Sequence, residues 1–122
     1  MQEIKRLPDS ELEIMMIIWE AEDTVTSDYI MQRINKNWVK TTLLNLLTRL
    51  CDRGFLECEK VGKHNTYTAI VAKQDYLKLE SKNFFEKLHR NSLKSLVATL
   101  YSDRNISKED LEELKRFIEE AE

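Results

Sequence analysis

Thr41, Thr42, Asn45 and Thr48 lie between Lys40 and Arg49 in the stretch KTTLLNLLTR. Side chains of these types suit reading nucleic-acid bases rather than breaking bonds. Asn pairs with adenine, Thr touches a thymine methyl or a phosphate, and Arg takes guanine or phosphate. Lys40 and Arg49 supply positive charge along the same stretch, and Lys60, Lys63 and His64 follow close behind. Charges so placed suit a phosphate backbone. No bond-breaking set competes with this one. His64 and His89 stand apart from any paired Ser or Cys nucleophile, and there is no glycine-rich phosphate loop, no His-x-x-x-His and no Cys-x-x-Cys. No catalytic residue, metal ligand or cofactor is expected, and an enzyme is not.

To present these residues on one surface, the chain needs a helix over about Lys40 to Arg53. At roughly 100° per residue, Leu43, Leu46, Leu47 and Leu50 gather into one apolar stripe. Thr41, Asn45, Thr48 and Asp52 fall opposite, with Thr42, Leu44 and Arg49 on the flanks. Thr and Asn are mediocre helix formers, so lining the outer face with them brings no local gain. The plain alternative is an ordinary solvated face. Gly54 then supplies a left-handed stop. Leu56–Val61 and Thr66–Ile70 alternate as half-buried strands, joined by a Gly62-Lys63-His64-Asn65 loop.

Two helices must precede these elements. Pro8-Asp9-Ser10-Glu11 opens the first, with Asp9 or Ser10 as cap, and Leu12, Met15, Met16 and Trp19 make its apolar face. It ends near Ala21. Val25-Thr26-Ser27-Asp28 opens the second, with Thr26 as cap, and Asn35-Lys36-Asn37 breaks it before Trp38. Three helices followed by a hairpin is the order of a winged helix-turn-helix, over residues 1–72.

Residues 73–122 read as helical with no strand signal. A long helix from about Gln74 carries Leu77, Phe84, Phe85, Leu88, Leu93, Leu96, Val97 and Leu100, with Asn91-Ser92 as a point of interruption. Ser102-Asp103-Arg104-Asn105 is a turn. A last helix starts near Ser107 with a capping-box pattern, and Leu111, Leu114, Phe117 and Ile118 form its apolar stripe. Side chains of this size lose about 1.5–3 kcal/mol each if left wet. A second copy of the chain is the simplest cover; folding back on the N-terminal domain is the alternative.

Composition sets the limits. The chain has 122 residues, 42 % of them hydrophobic and 34 % charged, and a formal net charge of −3. The distribution matters more than the total. Residues 1–32 hold two basic against eight acidic side chains, whereas residues 33–65 hold seven basic against three, a local +4. No apolar run approaches the roughly 18 residues that cross a membrane, and the start lacks a signal-peptide core. A cytoplasmic protein without membrane insertion is the expectation. Cys51 and Cys58 are expected as small buried or half-buried thiols, since their spacing is not a metal spacing and the cytosol disfavours disulfides.

Taken in order, these residues resemble the BlaI/MecI family of penicillinase repressors. The first-helix pattern is Glu11, Glu13, Ile14, Met15, Ile18 and Trp19. The recognition-helix pattern is Thr42, Leu46, Leu47, Arg49 and Leu50, then Arg53-Gly54-Phe55-Leu56. The hairpin with Tyr67, Ser95-Leu96-Val97 and Glu112 to Phe117 match as well, so the resemblance covers nearly the whole chain. It implies a homodimer that binds a palindromic double-stranded operator and represses adjacent genes, often for β-lactam resistance. It also implies a membrane-bound sensor protease that triggers cleavage of the repressor within its dimerisation domain. The chain departs from the family at Val39-Lys40, where Ser-Pro is usual, at Leu44, where Arg or a similar polar residue can stand, and at Thr99-Leu100, the positions of the cleaved Asn-Phe bond. It lacks the C-terminal Cys-x-Cys of the copper-responsive branch.

The sequence thus predicts a mostly α protein. Its N-terminal winged helix-turn-helix presents Lys40, Thr41, Thr42, Asn45, Thr48, Arg49, Lys60, Lys63 and His64 to DNA, and its helices over 73–122 dimerise. Two other readings use the same fold: a winged-helix protein-interaction module, or a repressor that answers a different signal.

Overall fold

Residues 4–121 are described in the computed structural model, with six α-helices and three β-strands. Helix α1 (Asp9–Ala21) follows an extended Pro8, and no side chain caps it. Asp9 and Ser10, expected as caps, lie inside the first turn. There Asp9 and Glu11 put negative charge at the positive end of the helix. The buried line is Glu11, Ile14, Met15 and Ile18, while Leu12, Met16 and Trp19 are half-buried. Residues 14–19 are six consecutive apolar side chains, so periodicity left the centre of the face open.

Val25 and Thr26 form a strand, β1 (Val25–Thr26), before the second helix, α2 (Ser27–Arg33). Thr26 does both jobs, because its Oγ1 also accepts the Tyr29 N–H at 3.2 Å. Helix α3 (Lys40–Asp52) buries Leu43, Leu47 and Leu50 and half-buries Leu46. It stops one residue short of Arg53. The Phe55 N–H reaches Leu50 O at 2.9 Å, and the Gly54 N–H reaches Cys51 O at 3.1 Å. That pair of bonds is the Schellman closure, and it needs the positive φ of 81° that Gly54 adopts.

Strands β2 (Leu56–Val61) and β3 (His64–Ala69) follow, and the sheet runs β1-β3-β2, antiparallel throughout. The connection is two residues, Gly62-Lys63, rather than the four expected. His64 pairs with Val61 and belongs to β3. Gly62 at φ 64° takes the first turn position, where a two-residue hairpin needs φ above zero. The alternating pattern of β2 suggested a half-buried strand, yet only Leu56 is buried. Beyond it β2 is exposed on both faces, while its partner β3 still sends Tyr67 into the core.

Helices α4 (Lys73–Leu88), α5 (Leu93–Ser102) and α6 (Lys108–Glu120) complete the chain. The long helix expected from Gln74 is two helices. Arg90 and Asn91 are left-handed, at φ 47° and 64°, and Ser92 caps the restart by accepting the Ser95 N–H. The Ser107–Asp110 capping box of α6 is present in both directions, at 2.7 and 3.1 Å.

The chain divides into two compact units, the first ending at Glu80 inside α4. Tyr76 explains why the first unit extends past residue 72. Its ring lies 5.7 Å from Trp19 and 5.9 Å from Phe55. Its hydroxyl accepts the Leu7 N–H at 2.8 Å and donates to Glu80 Oε1 at 2.7 Å. Burial first, and then Glu80, push the phenol up to about 12.

One charged side chain is fully buried among the described residues: Glu11 on α1. Arg53 Nη1 donates to its Oε1 at 2.8 Å, and Oε2 has no partner among the described residues. Removing the cation leaves a buried carboxylate alone, which is far worse than removing both. Arg53→Met is expected to lower stability by about 3 kcal/mol in urea unfolding. Adding Glu11→Leu should restore most of it. A loss in Arg53→Met alone below about 1 kcal/mol, the range of an exposed pair, would show that the pair does not hold the unit together.

Candidate nucleic-acid interface

The three buried leucines of α3 turn its other side outward. Lys40, Thr41, Thr42, Asn45, Thr48 and Arg49 are all exposed. The Thr48 hydroxyl donates to Leu44 O at 2.9 Å, so it offers outward its methyl and its oxygen lone pairs. Asn45 makes no side-chain hydrogen bond among the described residues, and both its amide donors and its carbonyl stay available for a base edge.

The local +4 is less free than counting suggests. Lys40 Nζ sits 3.5 Å from Asp28 Oδ1 on α2, and Lys36 Nζ sits 3.4 Å from Glu13 Oε1 on α1. Arg33 stacks on Tyr29 with its guanidinium carbon 3.5 Å from the ring centroid. Arg53 is held by Glu11. Arg49, Lys60 and Lys63 make no ion pair among the described residues. They are the cations ready to meet phosphate without first giving up a partner. Asp28 was not singled out from sequence, because its bond to Lys40 exists only once α2 and α3 pack.

Strand register sorts the hairpin candidates. Residues directly opposite share a face, so Leu56 and Ala69, Cys58 and Tyr67, and Lys60 and Asn65 lie together on the side that enters the core. Glu57 and Thr68, Glu59 and Thr66, and Val61 and His64 lie on the other. Lys60 therefore shares a face with Asn65, which sequence reading passed over, and His64 shares one with two glutamates. Lys63 stands in the turn at the tip.

The two thiols differ. Cys51, half-buried near the end of α3, has its thiol pushed up, first by burial and then by Cys58 and Asp52. Cys58 is exposed rather than buried or half-buried, because it lies past Leu56 on the projecting hairpin. Among the described residues no three His, Cys, Asp or Glu side chains gather where a metal ion would bind. No described helix is long and apolar enough to cross a membrane.

Of the side chains read as apolar dimerisation residues, Leu77, Phe84, Leu88, Leu114, Phe117 and Ile118 are exposed. Phe85, Leu96, Val97, Leu100 and Leu111 are half-buried. Leu93 and Tyr101 add further exposed surface to α5. The Thr99–Leu100 bond lies inside α5, and the Thr99 hydroxyl donates to Ser95 O at 2.8 Å.

Comparison with known proteins places this architecture. The penicillinase repressor family model matches residues 7–120. The penicillinase repressor of Bacillus licheniformis is 28 % identical over 122 residues, covering 98 % of this chain and 94 % of that protein. The methicillin resistance regulatory protein MecI of Staphylococcus aureus is 29 % identical over 113 residues, 92 % of each. Among solved structures, the monomeric form of Bacillus licheniformis BlaI in complex with the blaP half-operator matches with a TM-score of 0.52 and 28 % identity. It covers 62 % of this chain and 94 % of that one. The chain belongs to the penicillinase repressor family, a family of transcriptional repressors and not of enzymes.

Asp28 holds Lys40 and adds a negative charge beside the polar face of α3. Asp28→Asn is expected to raise affinity for duplex DNA of any sequence severalfold. It should also steepen the dependence of log affinity on log salt by up to about one unit. Fluorescence-anisotropy titrations at several salt concentrations measure both. Unchanged affinity and slope would place Lys40 away from phosphate.

Proposed function

We propose that this chain represses transcription of β-lactam resistance genes by binding a palindromic double-stranded operator as a homodimer, and that proteolysis of its C-terminal helices relieves repression. The observation that carries this reading is the outer face of α3. It joins Asn45 and Arg49, which have no side-chain partner among the described residues, to exposed threonines, on a domain that resembles BlaI, a protein solved on its half-operator. Thr41, Thr42, Asn45 and Thr48 take base edges in the major groove, while Lys40, Arg49, Lys60, Lys63 and His64 take phosphate. Because His64 shares its face with Glu57 and Glu59, it is the weakest of the phosphate contacts.

A half-operator per domain calls for two domains per operator. The exposed Phe84, Leu88, Leu114, Phe117 and Ile118 support a second copy as their cover, since large apolar surfaces of this kind mark interaction sites. The two half-sites then add through effective concentration, and a monomer loses that gain. Cleavage between Thr99 and Leu100, triggered by a membrane sensor protease, would act on this link. The bond is helical in α5, so the protease must meet a locally unwound segment.

Asn45→Ala should weaken binding to a specific operator by about 1–3 kcal/mol while sparing unrelated duplex. Lys63→Ala should weaken all sequences alike and flatten the salt slope by about one unit. Gel-shift titration against operator and scrambled duplex separates the two. If neither substitution changes binding, Asn45 and Lys63 are not the contacts assigned here; if the wild-type protein gives no salt-dependent shift of operator at all, the fold serves a protein partner and not DNA.

Phe117→Asp tests the dimer. It should move the protein to a monomer in analytical ultracentrifugation, weaken the full palindrome by at least tenfold and leave single half-site affinity unchanged. A variant that stays dimeric would move the interface away from α6.

A further inference from the structure

We propose that Val39 is a specificity-determining residue: its side chain receives the C5 methyl of a thymine in the major groove, so that this protein demands thymine at one position of each half-site. The inference rests on the DNA-binding reading above and deepens it.

Val39 is the N-cap of α3, and its side chain bonds to nothing there. The N-caps of α2, α5 and α6 are Thr26, Ser92 and Ser107, and each accepts a backbone N–H. Valine is among the poorest N-cap residues, because it has no oxygen to offer the free amides of the first turn. Local helix chemistry therefore gives no reason for it.

Packing gives none either. Val39 is 66 % exposed. Its neighbour Trp38 packs against the core, and Val39 does not. An apolar side chain held out of the core at a position that calls for a polar one gains only when something else covers it.

Position and chemistry name that cover. The N-terminal residues of a recognition helix contact base edges, and Val39 directly precedes Lys40, Thr41 and Thr42. Of the major-groove groups that neither donate nor accept a hydrogen bond, the thymine methyl is the large apolar one, against the small C5–H of cytosine. A side chain with no polar atom has that one group to recognise.

The test uses the full-length protein and an operator enriched by it from a random duplex pool. Each thymine is then replaced in turn by uracil, which keeps the base pair and removes only the methyl. Wild type should lose affinity at several positions, and at one of them, near the point where α3 enters the groove, by about fourfold, the value of one buried methyl. Val39→Ser and Val39→Ala should both shrink the penalty at that position, Ser the more because Ala keeps one methyl, and preserve the others. Only Ser can cap, so their agreement assigns the effect to the lost side chain and not to helix stability. If both variants keep every uracil penalty of the wild type, or if Thr42→Ser alone removes it, the assignment to Val39 is wrong and the DNA-binding reading stands. If no sequence is enriched at all, both fall.

Discussion

The position of the recognition helix depends on one buried charge. Glu11 lies in the apolar interior between α1 and the end of α3, and among the described residues its single partner is Arg53. Apolar packing alone tolerates sliding, since Ile14, Met15, Ile18, Leu43, Leu47 and Leu50 are all interchangeable grease to one another. A carboxylate in that interior is not so tolerant. It is heavily penalised unless it meets a donor, and Arg53 reaches it only from one register of α1 against α3. Arg53 is also the C-cap residue of α3, directly ahead of the left-handed Gly54 that turns the chain into the hairpin. The same contact thus fixes where α3 ends and where the hairpin departs.

With α3 fixed on its inner side, its outer side is set by periodicity, and the electrostatics follow from what packs nearby. The protein carries net −3, yet residues 33–65 carry a local +4. Acidic side chains on α1 and α2 sit at its border and hold Lys36 and Lys40 in exposed pairs. Exposed pairs of this kind are worth little, about 0–1 kcal/mol, so a phosphate displaces the carboxylate easily. Arg49, Lys60 and Lys63 meet no such competition. In the proposed complex, the free cations and the Asn45–Thr48 face engage DNA together.

How much of this was legible in the sequence depends on the length scale of the signal. The α3 stripe, the Gly54 stop and the Ser107–Asp110 box are set by neighbours within four residues, and the structure reproduces them. The exposed polar face of α3 was legible for the same reason. Strand β1 was not, because two residues carry no alternation and Val25 becomes a strand only by pairing with Tyr67. The break between α4 and α5 was visible at Asn91-Ser92 only as an interruption; two consecutive left-handed non-glycine residues carry no strong local signature. His64 read as loop because a His-Asn pair favours turns, while Gly62 alone suffices for the reversal. The Lys40–Asp28 and Arg53–Glu11 pairs join residues 12 and 42 apart, and no local pattern announces them.

The C-terminal helices obey a different constraint from the N-terminal unit. Helix α6 has 13 residues, a length at which an isolated helix is marginal in water. Its capping box supplies the start, but Leu114, Phe117 and Ile118 remain exposed on the single chain. Such a helix is ordered locally and completed by burial. In the proposed dimer, the burial that completes α6 is the same event that brings two α3 helices to one operator. Helix order, dimer formation and operator affinity then rise and fall as one linked equilibrium. In the same proposal, a protease acting on α5 needs only to remove the apolar surface that follows it. It need not touch the outer face of α3, whose geometry is held independently by Glu11 and Arg53.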